Sequence, residues 1–450
     1  MIKVITYGTY DLLHYGHIKL LERAKALGDY LIVGVTADDF DKMRGKINVQ
    51  QSLIERVEAV RATGIADEII IEEYEGQKID DIRRYDVDIF TVGSDWQGKF
   101  DYLNEYCKVI YLGRTEGVSS SEIREQKRLL NLGLMGDSLF LKKVKNESVF
   151  VNGIQVSALY TQRPENIDEE LKTIEVITDD FDKFMKNIDA TYIRSLPINH
   201  YKHIKKALVS GKHVLCESPI TLSKEQSREL FTLAISKKLI LMEAIKTAYS
   251  TAFSRLLLLI KGGKIGEVIS VDSTCTSLKT HKGEENNEWN GIFEWGPTAL
   301  LPIFQILGTQ FKDYKIVCCF SDDEQKYDSF TKMDFVYDNA VASIKVGDGV
   351  KSEGELIISG TKGYIYVPAP WWKTDYFEIR YENPADNRKY FYQLEGEGIR
   401  NELVAFVKAI ERERAIANID EAVTFKICDV MDDFVNKRNM IVLNKVYRQD

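Results

Sequence analysis

Basic charge is in short supply. Sixty Lys and Arg face 69 Asp and Glu, for a formal net charge of −9 at pH 7. That balance excludes general nucleic-acid binding, which needs a net basic face, but leaves room for a local basic pocket. Cysteine is sparse as well: Cys107, Cys216, Cys275, Cys318, Cys319 and Cys428 are scattered with no C-x-x-C pair. Neither a zinc site of that pattern nor a disulfide framework is indicated, and free thiols fit a reducing cytosol. Long apolar runs are missing: "LLLLI" at 256–260 falls far short of the ~18 residues of a membrane span. The opening "MIKVITYG" reads as a strand and lacks the regions of a signal peptide, so the expected location is the cytoplasm. What remains is a globular composition, 44% hydrophobic and 29% charged, in a chain of 450 residues. That length predicts about three domains.

Within the first 125 residues, short apolar runs ("KVITYG", "YLIVGVT", "EIIIE", "DIFTVG", "KVIYLG") alternate with amphipathic stretches such as "IKLLERAKALG" and "SLIERVEAVRAT". Strands that are apolar throughout, separated by helices, describe a parallel sheet covered on both faces. Ligands of such sheets bind at the carboxyl ends of the strands. The first strand ends in "GTYD", and "LLHYGHIKLLERAK" follows, placing His14 and His17 at the mouth of a helix.

Three readings of these histidines stay open on spacing alone. A helix N-terminus favours anions, Gly16 lets a ligand approach the backbone, and two imidazoles there would donate to phosphate oxygens. Ordinary packing or capping is the second reading. A metal site is the third, weakened because no further Cys, His or carboxylate cluster stands nearby at a ligand spacing.

"GTYDLLHYGH" resembles the H-x-G-H signature of nucleotidyltransferases, and "RTEGVSSSEIR" (114–124) resembles their second signature. With "DYLIVGV" and "VGSDWQGKFDYL" between them, residues 1–127 resemble the bacterial glycerol-3-phosphate cytidylyltransferases. The resemblance implies CTP with Mg²⁺ and a polyol phosphate as reactants, glycerol 3-phosphate first. It implies that His14, His17, Lys46 and Arg114 are catalytic, with His14 and His17 holding the triphosphate. It further implies that Arg114, Thr115 and Ser119 bind phosphates, that Thr9, Tyr10 and Asp11 form the first loop, and that Arg44 stands in place of the family's usual lysine. Arg56, Lys78 and Asp95 match family positions around substrate and nucleotide. One departure is Gly64 in "ATGIADEI", where relatives carry an arginine; Arg61 lies one turn earlier. That change opens the substrate to glycerol 2-phosphate or a longer polyol phosphate.

From Arg128 the alternation restarts: "RLLNLGLMG", "IQVSALYT", "TIEVIT", "ATYIRSL", "HVLCESP". "ALVSGKHVLCESPITLSKEQSRELFTLAISKKLILMEA" and "KGGKIGEVISV" resemble the glucose-fructose oxidoreductase/inositol dehydrogenase family. That likeness implies a dinucleotide-binding domain followed by an α/β domain whose open sheet often builds oligomers, with "ISGTKGYIYVPAPWW" as a strand-turn-strand. The working parts are altered. In "GDSLFL" Gly136 is kept, but Ser138 and Leu141 replace the later glycines that let backbone approach a pyrophosphate. The family's lysine is Ser218 after Glu217, its aspartate is Glu294, and its proton-transfer residue is Thr298. Neither hydroxyl titrates near neutrality. Thr161 and Arg163 stand where an NADP 2′-phosphate would be held, or are polar residues after a strand. His200, His203 and His213 read as helix-surface or supporting residues. Trp371 and Trp372 read as core or subunit contact.

The expectation is therefore an α/β chain in three parts. Residues 1–127 form a Rossmann-like nucleotidyltransferase domain, 128–250 a degenerate Rossmann-like dinucleotide domain, and 251–450 an α/β domain with an open mixed sheet. A homo-oligomer that handles CTP and a polyol phosphate, without nucleic acid or a resident metal, is expected. The second half is expected to have lost hydride transfer, with Gly136, Thr161, Arg163 and Glu217 left as a degenerate cofactor site for which NAD(P) is doubtful. The rivals are a bifunctional enzyme whose second half reduces a ketone to the polyol phosphate, and a nucleotide-sensing scaffold.

Overall fold

In the computed structural model of the chain, the described residues are 1–37, 49, 51–74, 76–113, 129–278, 291–322, 324–325, 327–392, 394–412 and 418–444. The chain divides into two compact units, Met1–Leu129 and Leu130–Asp450.

The first unit runs β1 (Lys3–Gly8), α1 (Tyr15–Lys25), β2 (Tyr30–Thr36), α2 (Leu53–Ala62), β3 (Glu68–Glu72), α3 (Gln77–Tyr85), β4 (Ile89–Gly93) and β5 (Lys108–Leu112). Its strands are all parallel, in the order β3-β2-β1-β4-β5. The apolar strands bury both faces, as predicted. Ile5, Ile32 and Phe90 pack on one side, while Val4, Leu31 and Val33 pack with Leu21 of α1 on the other. Gly34 is required by close packing, since a Cβ there would lie 2.2 Å from the Tyr7 ring. Strand order reverses between β1 and β4, so a crevice opens at their carboxyl ends.

The second unit begins with β6 (Leu130–Met135), α4 (Phe140–Ser148), β7 (Ile154–Tyr160), β8 (Val176–Thr178), α5 (Phe181–Lys186), β9 (Ala190–Ile193), α6 (Pro197–Val209), β10 (His213–Glu217), α7 (Lys224–Ser236) and β11 (Leu241–Ala244). These strands form a parallel sheet ordered β11-β10-β9-β6-β7-β8. After α8 (Thr251–Lys261) come β12 (Val268–Thr276), α9 (Ile292–Leu307), β13 (Asp313–Phe320), β14 (Asp328–Val336), β15 (Val341–Gly347), β16 (Leu356–Gly360), β17 (Tyr364–Val367), β18 (Tyr376–Arg380), β19 (Arg388–Phe391), α10 (Ile399–Glu411), α11 (Glu421–Val435) and β20 (Met440–Val442). They build a mixed sheet ordered β19-β18-β17-β16-β12-β15-β14-β13-β20, with parallel pairs β12/β15 and β13/β20.

The α/β class and the mixed sheet match the sequence reading, including the antiparallel β16–β17 turn of "ISGTKGYIYV". The two sheets of this unit share one core: Leu132, Leu215 and Met242 belong to the same cluster as Leu300, Ile344 and Phe406. Trp371 is fully buried in it, and its indole donates to the Thr274 carbonyl at 3.1 Å. Trp371 is thus a core residue. Trp372 is half-buried against Trp295, with ring centroids 5.0 Å apart. No helix among the described residues is long and apolar enough to cross a membrane.

Candidate active site

The carboxyl end of β1 passes into a strained loop. Tyr10 and Leu12 hold φ of +52° and +49°, values that non-glycine side chains seldom adopt and that surrounding contacts must enforce. Those contacts are visible. The Tyr10 ring is buried, lying where a Cβ on Gly8 would meet it at 2.9 Å. Asp11 Oδ1 accepts from the Gln51 amide at 2.9 Å, and Gln51 Oε1 accepts from the Leu12 amide at 2.7 Å. Gln51 went unnoticed in the sequence because only the folded chain brings it to the loop.

His14 is the N-cap of α1, its Nδ1 accepting from the Gly16 amide at 3.1 Å. Nδ1 is therefore an acceptor, and in the neutral ring the proton resides on Nε2, ready to donate. The His17 imidazole stacks on that of His14 with centroids 3.9 Å apart at 24°, and Tyr10 meets His17 edge-on at 5.6 Å. Two imidazoles thus sit at a helix N-terminus beside the β1/β4 switch point, where an anion is favoured.

Other expected site residues lie deeper. Arg56 is fully buried and donates to the carbonyls of Thr9 at 2.6 Å, Thr36 at 2.8 Å and Gln51 at 3.2 Å. Lys78 is buried in an ion pair with Glu72, 4.7 Å from the Tyr7 ring centroid and 5.4 Å from that of Phe100. Thr36 donates to the same Glu72, and Tyr7 donates to Asp81 at 2.8 Å. Thr9 is half-buried, whereas Asp95 is exposed on the turn Ser94–Trp96 after β4. Gly64 follows α2 at φ +68°, a conformation that suits glycine, and Arg61 is exposed and paired with Glu58. Arg44, Lys46, Arg114, Thr115 and Ser119 lie outside the described residues.

In the second unit Gly136 ends β6 at φ +136°, and a Cβ there would lie 2.3 Å from the Arg194 carbonyl. The turn after it is occupied from within. Asp137 accepts from the Thr161 hydroxyl and from the Gln162 amide at 3.0 Å, and Ser138 Oγ accepts from the Phe140 amide at 3.2 Å. Gly136, Thr161 and Arg163 line a small pocket together with Asp137, Ser138 and Asp168. Ser218 donates to buried Glu243, which also accepts from Thr424 at 2.6 Å. Arg194 donates to Glu294 at 2.9 Å and faces Glu217 at 3.8 Å, while Tyr192 donates to Glu217 at 2.5 Å. Thr298 is half-buried on α9.

Of the two readings of His200, helix surface or supporting residue, the second fits: it is fully buried, its ring nitrogens 2.8 Å from the Pro219 carbonyl and 2.7 Å from that of Ser195. Desolvation lowers its pKa to about 4. His203 contacts Ser195 Oγ at 2.8 Å, and its pKa is also lowered by burial to about 4. His213 opens β10 and accepts from the Ile240 amide at 3.0 Å.

A family model described as Cytidylyltransferase-like matches residues 5–126. Over 125 residues the chain is 52% identical to a glycerol-3-phosphate cytidylyltransferase of Bacillus spizizenii, covering 28% of this chain and 96% of that protein. The chain belongs to the cytidylyltransferase-like family. A second relative of this cytidylyltransferase region, glycerol-3-phosphate cytidylyltransferase of Staphylococcus aureus, is 48% identical over 126 residues, 28% of this chain and 95% of that one. The chain is accordingly a nucleotidyltransferase fused to a second region. For that region, a family model described as Oxidoreductase family, NAD-binding Rossmann fold matches residues 132–245. The 3-ketoreductase KijD10 of Actinomadura kijaniata, solved with NADP and TDP-benzene, superposes on 70% of this chain and 100% of its own, with TM-score 0.63 and 15% identity. At that identity the likeness is one of fold.

Proposed function

We propose that residues 1–127 transfer CMP from CTP to a polyol phosphate, glycerol 3-phosphate first, giving CDP-glycerol and pyrophosphate. The observation that carries this is the stacked His14–His17 pair at the α1 N-terminus, in a region 52% identical to a named glycerol-3-phosphate cytidylyltransferase. A phosphate oxygen of the alcohol phosphate attacks the α-phosphorus of CTP, and the bond to the β-phosphate breaks as pyrophosphate leaves. The attacking oxygen is already an anion, so no general base is required. The chain's contribution is alignment and neutralisation of charge.

His14, donating from Nε2, and His17 hold the triphosphate and steady the charge that builds on it. Arg114 and Lys46 add positive charge, with Arg44, Thr115 and Ser119 on the phosphates. Thr9, Tyr10 and Asp11 fix the loop. Arg56 keeps that loop in register through the Thr9 carbonyl, and Lys78 supports β1 from below. Asp95 contacts the substrate side of the β4 end. Mg²⁺ would arrive with the nucleotide and offset its charge. Asp11, the acidic residue of the loop, already accepts from Gln51, and the described residues hold no cluster of metal-ligating side chains. No step is assigned to a resident metal.

Residues 128–250 and 251–450 are assigned a supporting part, holding copies of the chain together in the cytoplasm. Three features of the chain speak against NAD(P) use. Asp137 bonds residues 161 and 162 at the end of β7, Ser138 occupies the first amide of α4, and Ser218 donates to Glu243. Gly136, Thr161, Arg163 and Glu217 remain of the expected cofactor site, the first three lining one small pocket. Pyrophosphate release should be followed with CTP, Mg²⁺ and a panel of polyol phosphates, with NADH and NADPH fluorescence titrated on the same sample. Turnover without dinucleotide binding supports this reading. Tight dinucleotide binding would replace it with the bifunctional enzyme.

A further inference from the structure

Three lysines from three separate elements of the second unit close on one carboxylate. Lys143 of α4 and Lys373 donate to Glu397 Oε1 at 3.1 and 2.9 Å, and Lys246, just beyond β11, donates to Oε2 at 2.9 Å. Three cations share this one hydrogen-bonded anion, and Lys246 also lies in the field of Glu217 and Glu402. Arg194, also set against the Phe140 ring, is already taken by Glu294. Partial burial pulls the Glu397 carboxyl up, but its bonds from Lys373 and Lys246 hold it well below the usual carboxylate range.

The carboxylate reaches the lysines on an unfavourable backbone. Glu397 has φ +54°, between Gly396 at +58° and Gly398 at +90°. Left-handed conformations suit glycine and not glutamate, so the lysines hold the side chain there against local preference. Nearby is a second sign of a ligand. Glu402 is 1% exposed and its Oε2 has no hydrogen-bond partner, a costly arrangement for a buried carboxyl. Its Oε1 is 3.5 Å from the Tyr192 hydroxyl, which bonds Glu217, and Glu402 feels the charges of both Glu217 and Lys246.

We propose that Lys143, Lys246 and Lys373 form a binding site for a phosphate ester bearing hydroxyl groups, and that Glu397 is a built-in competitor that leaves when the phosphate arrives. A phosphate offers the lysines more charge and more acceptor oxygens than one carboxylate, and a ligand hydroxyl can donate to the orphaned Glu402 oxygen. The three lysines come from the six-strand part and from the turn before β18, so exchange of Glu397 for a ligand changes what ties these parts together.

Calorimetric titration of the full chain with inorganic phosphate and with glycerol 3-phosphate, fitted with one site for the first unit and a separate site for the lysine cluster, tests this, and only the affinity of the cluster is compared between variants. Glu397→Gly keeps the fold, because glycine suits φ +54°. It is expected to bind glycerol 3-phosphate about tenfold more tightly than the parent, or more. Adding Lys246→Met and Lys373→Met to it should abolish that gain, and Glu402→Gln should erase the preference for the ester over inorganic phosphate. The Glu397→Gln variant, with melting curves on all proteins, guards against misfolding. Equal affinity in parent and both Glu397 variants, or a gain that survives loss of the lysines, overturns the proposal. Equal affinity for phosphate and ester overturns the hydroxyl-bearing ligand. All changes lie in the second unit and are read as binding, so failure here is distinct from failure of cytidylyl transfer.

Discussion

His14 and His17 stack with ring centroids 3.9 Å apart, and the Gly16 amide occupies the Nδ1 of His14. The pair thus does two jobs, capping α1 and presenting imidazole edges at the end of β1. The two jobs separate by substitution. His17→Ala should lower pyrophosphate release by about 10²–10³-fold or more, with little change in thermal midpoint, because no core cavity opens. His14→Asn keeps a capping acceptor and should lose a comparable factor, whereas His14→Ala should add about 1 kcal/mol of destabilisation. A coupled pyrophosphate assay and circular-dichroism melts give both readouts.

Arg56 is a charged group with a scaffolding geometry. Its guanidinium reaches three carbonyls in different directions, which an ammonium cannot reproduce. Arg56→Lys should destabilise the first unit by roughly 2–3 kcal/mol and Arg56→Ala by more, since one buried and two part-buried acceptors lose their donor. Urea unfolding followed with the conservative and truncated variants checks the order.

Asp328 makes the second unit sensitive to pH. It is buried at the start of α9, accepting from the Ile292 amide and from Thr331, and burial together with nearby Asp348 raises its pKa from 3.8 to about 7. The folded state therefore binds a proton that the unfolded state releases. Its contribution is fully present below about pH 4 and is lost as pH rises through about 7, with a ceiling of about 4 kcal/mol. Asp328→Asn should flatten that part of the stability profile, measured by denaturant midpoints between pH 4 and 8.

Restoring the dehydrogenase lysine should not restore a dehydrogenase. Ser218 faces Glu243 and Thr424 in the interior, so a lysine at 218 would meet a buried carboxyl and not a crevice ligand. Ser218→Lys is expected to show no NADH or NADPH oxidation with keto-sugar phosphates above the parent. Detectable oxidation would reverse the assignment of the second unit.

The sheets were legible because strands buried on both faces carry unbroken apolar runs, and the H-x-G-H segment announced itself by its place after β1. Other features depended on residues far apart in sequence. Gly34 looks like a weak point in a strand until Tyr7 is seen lying across it. Lys78 reads as a surface cation until Glu72 and two aromatic rings enclose it. His200 falls in an amphipathic helix with lysines around it, yet two backbone carbonyls draw it inside. Glu397 gives a partial signal, glutamates among glycines, but its partner Lys143 lies 254 positions away. Asp137 likewise reads as part of a degraded glycine turn until its bonds to residues 161 and 162 reveal what fills the space.

The central claim is cytidylyl transfer by the first unit without help from a dinucleotide. Phosphorus NMR of the full chain with CTP, Mg²⁺ and glycerol 3-phosphate, and with no NAD(P), tests it most directly. The triphosphate signals are expected to give way to pyrophosphate and the paired diphosphate resonances of CDP-glycerol. Unchanged CTP across a panel of polyol phosphates, or conversion that His17→Ala leaves intact, would contradict it.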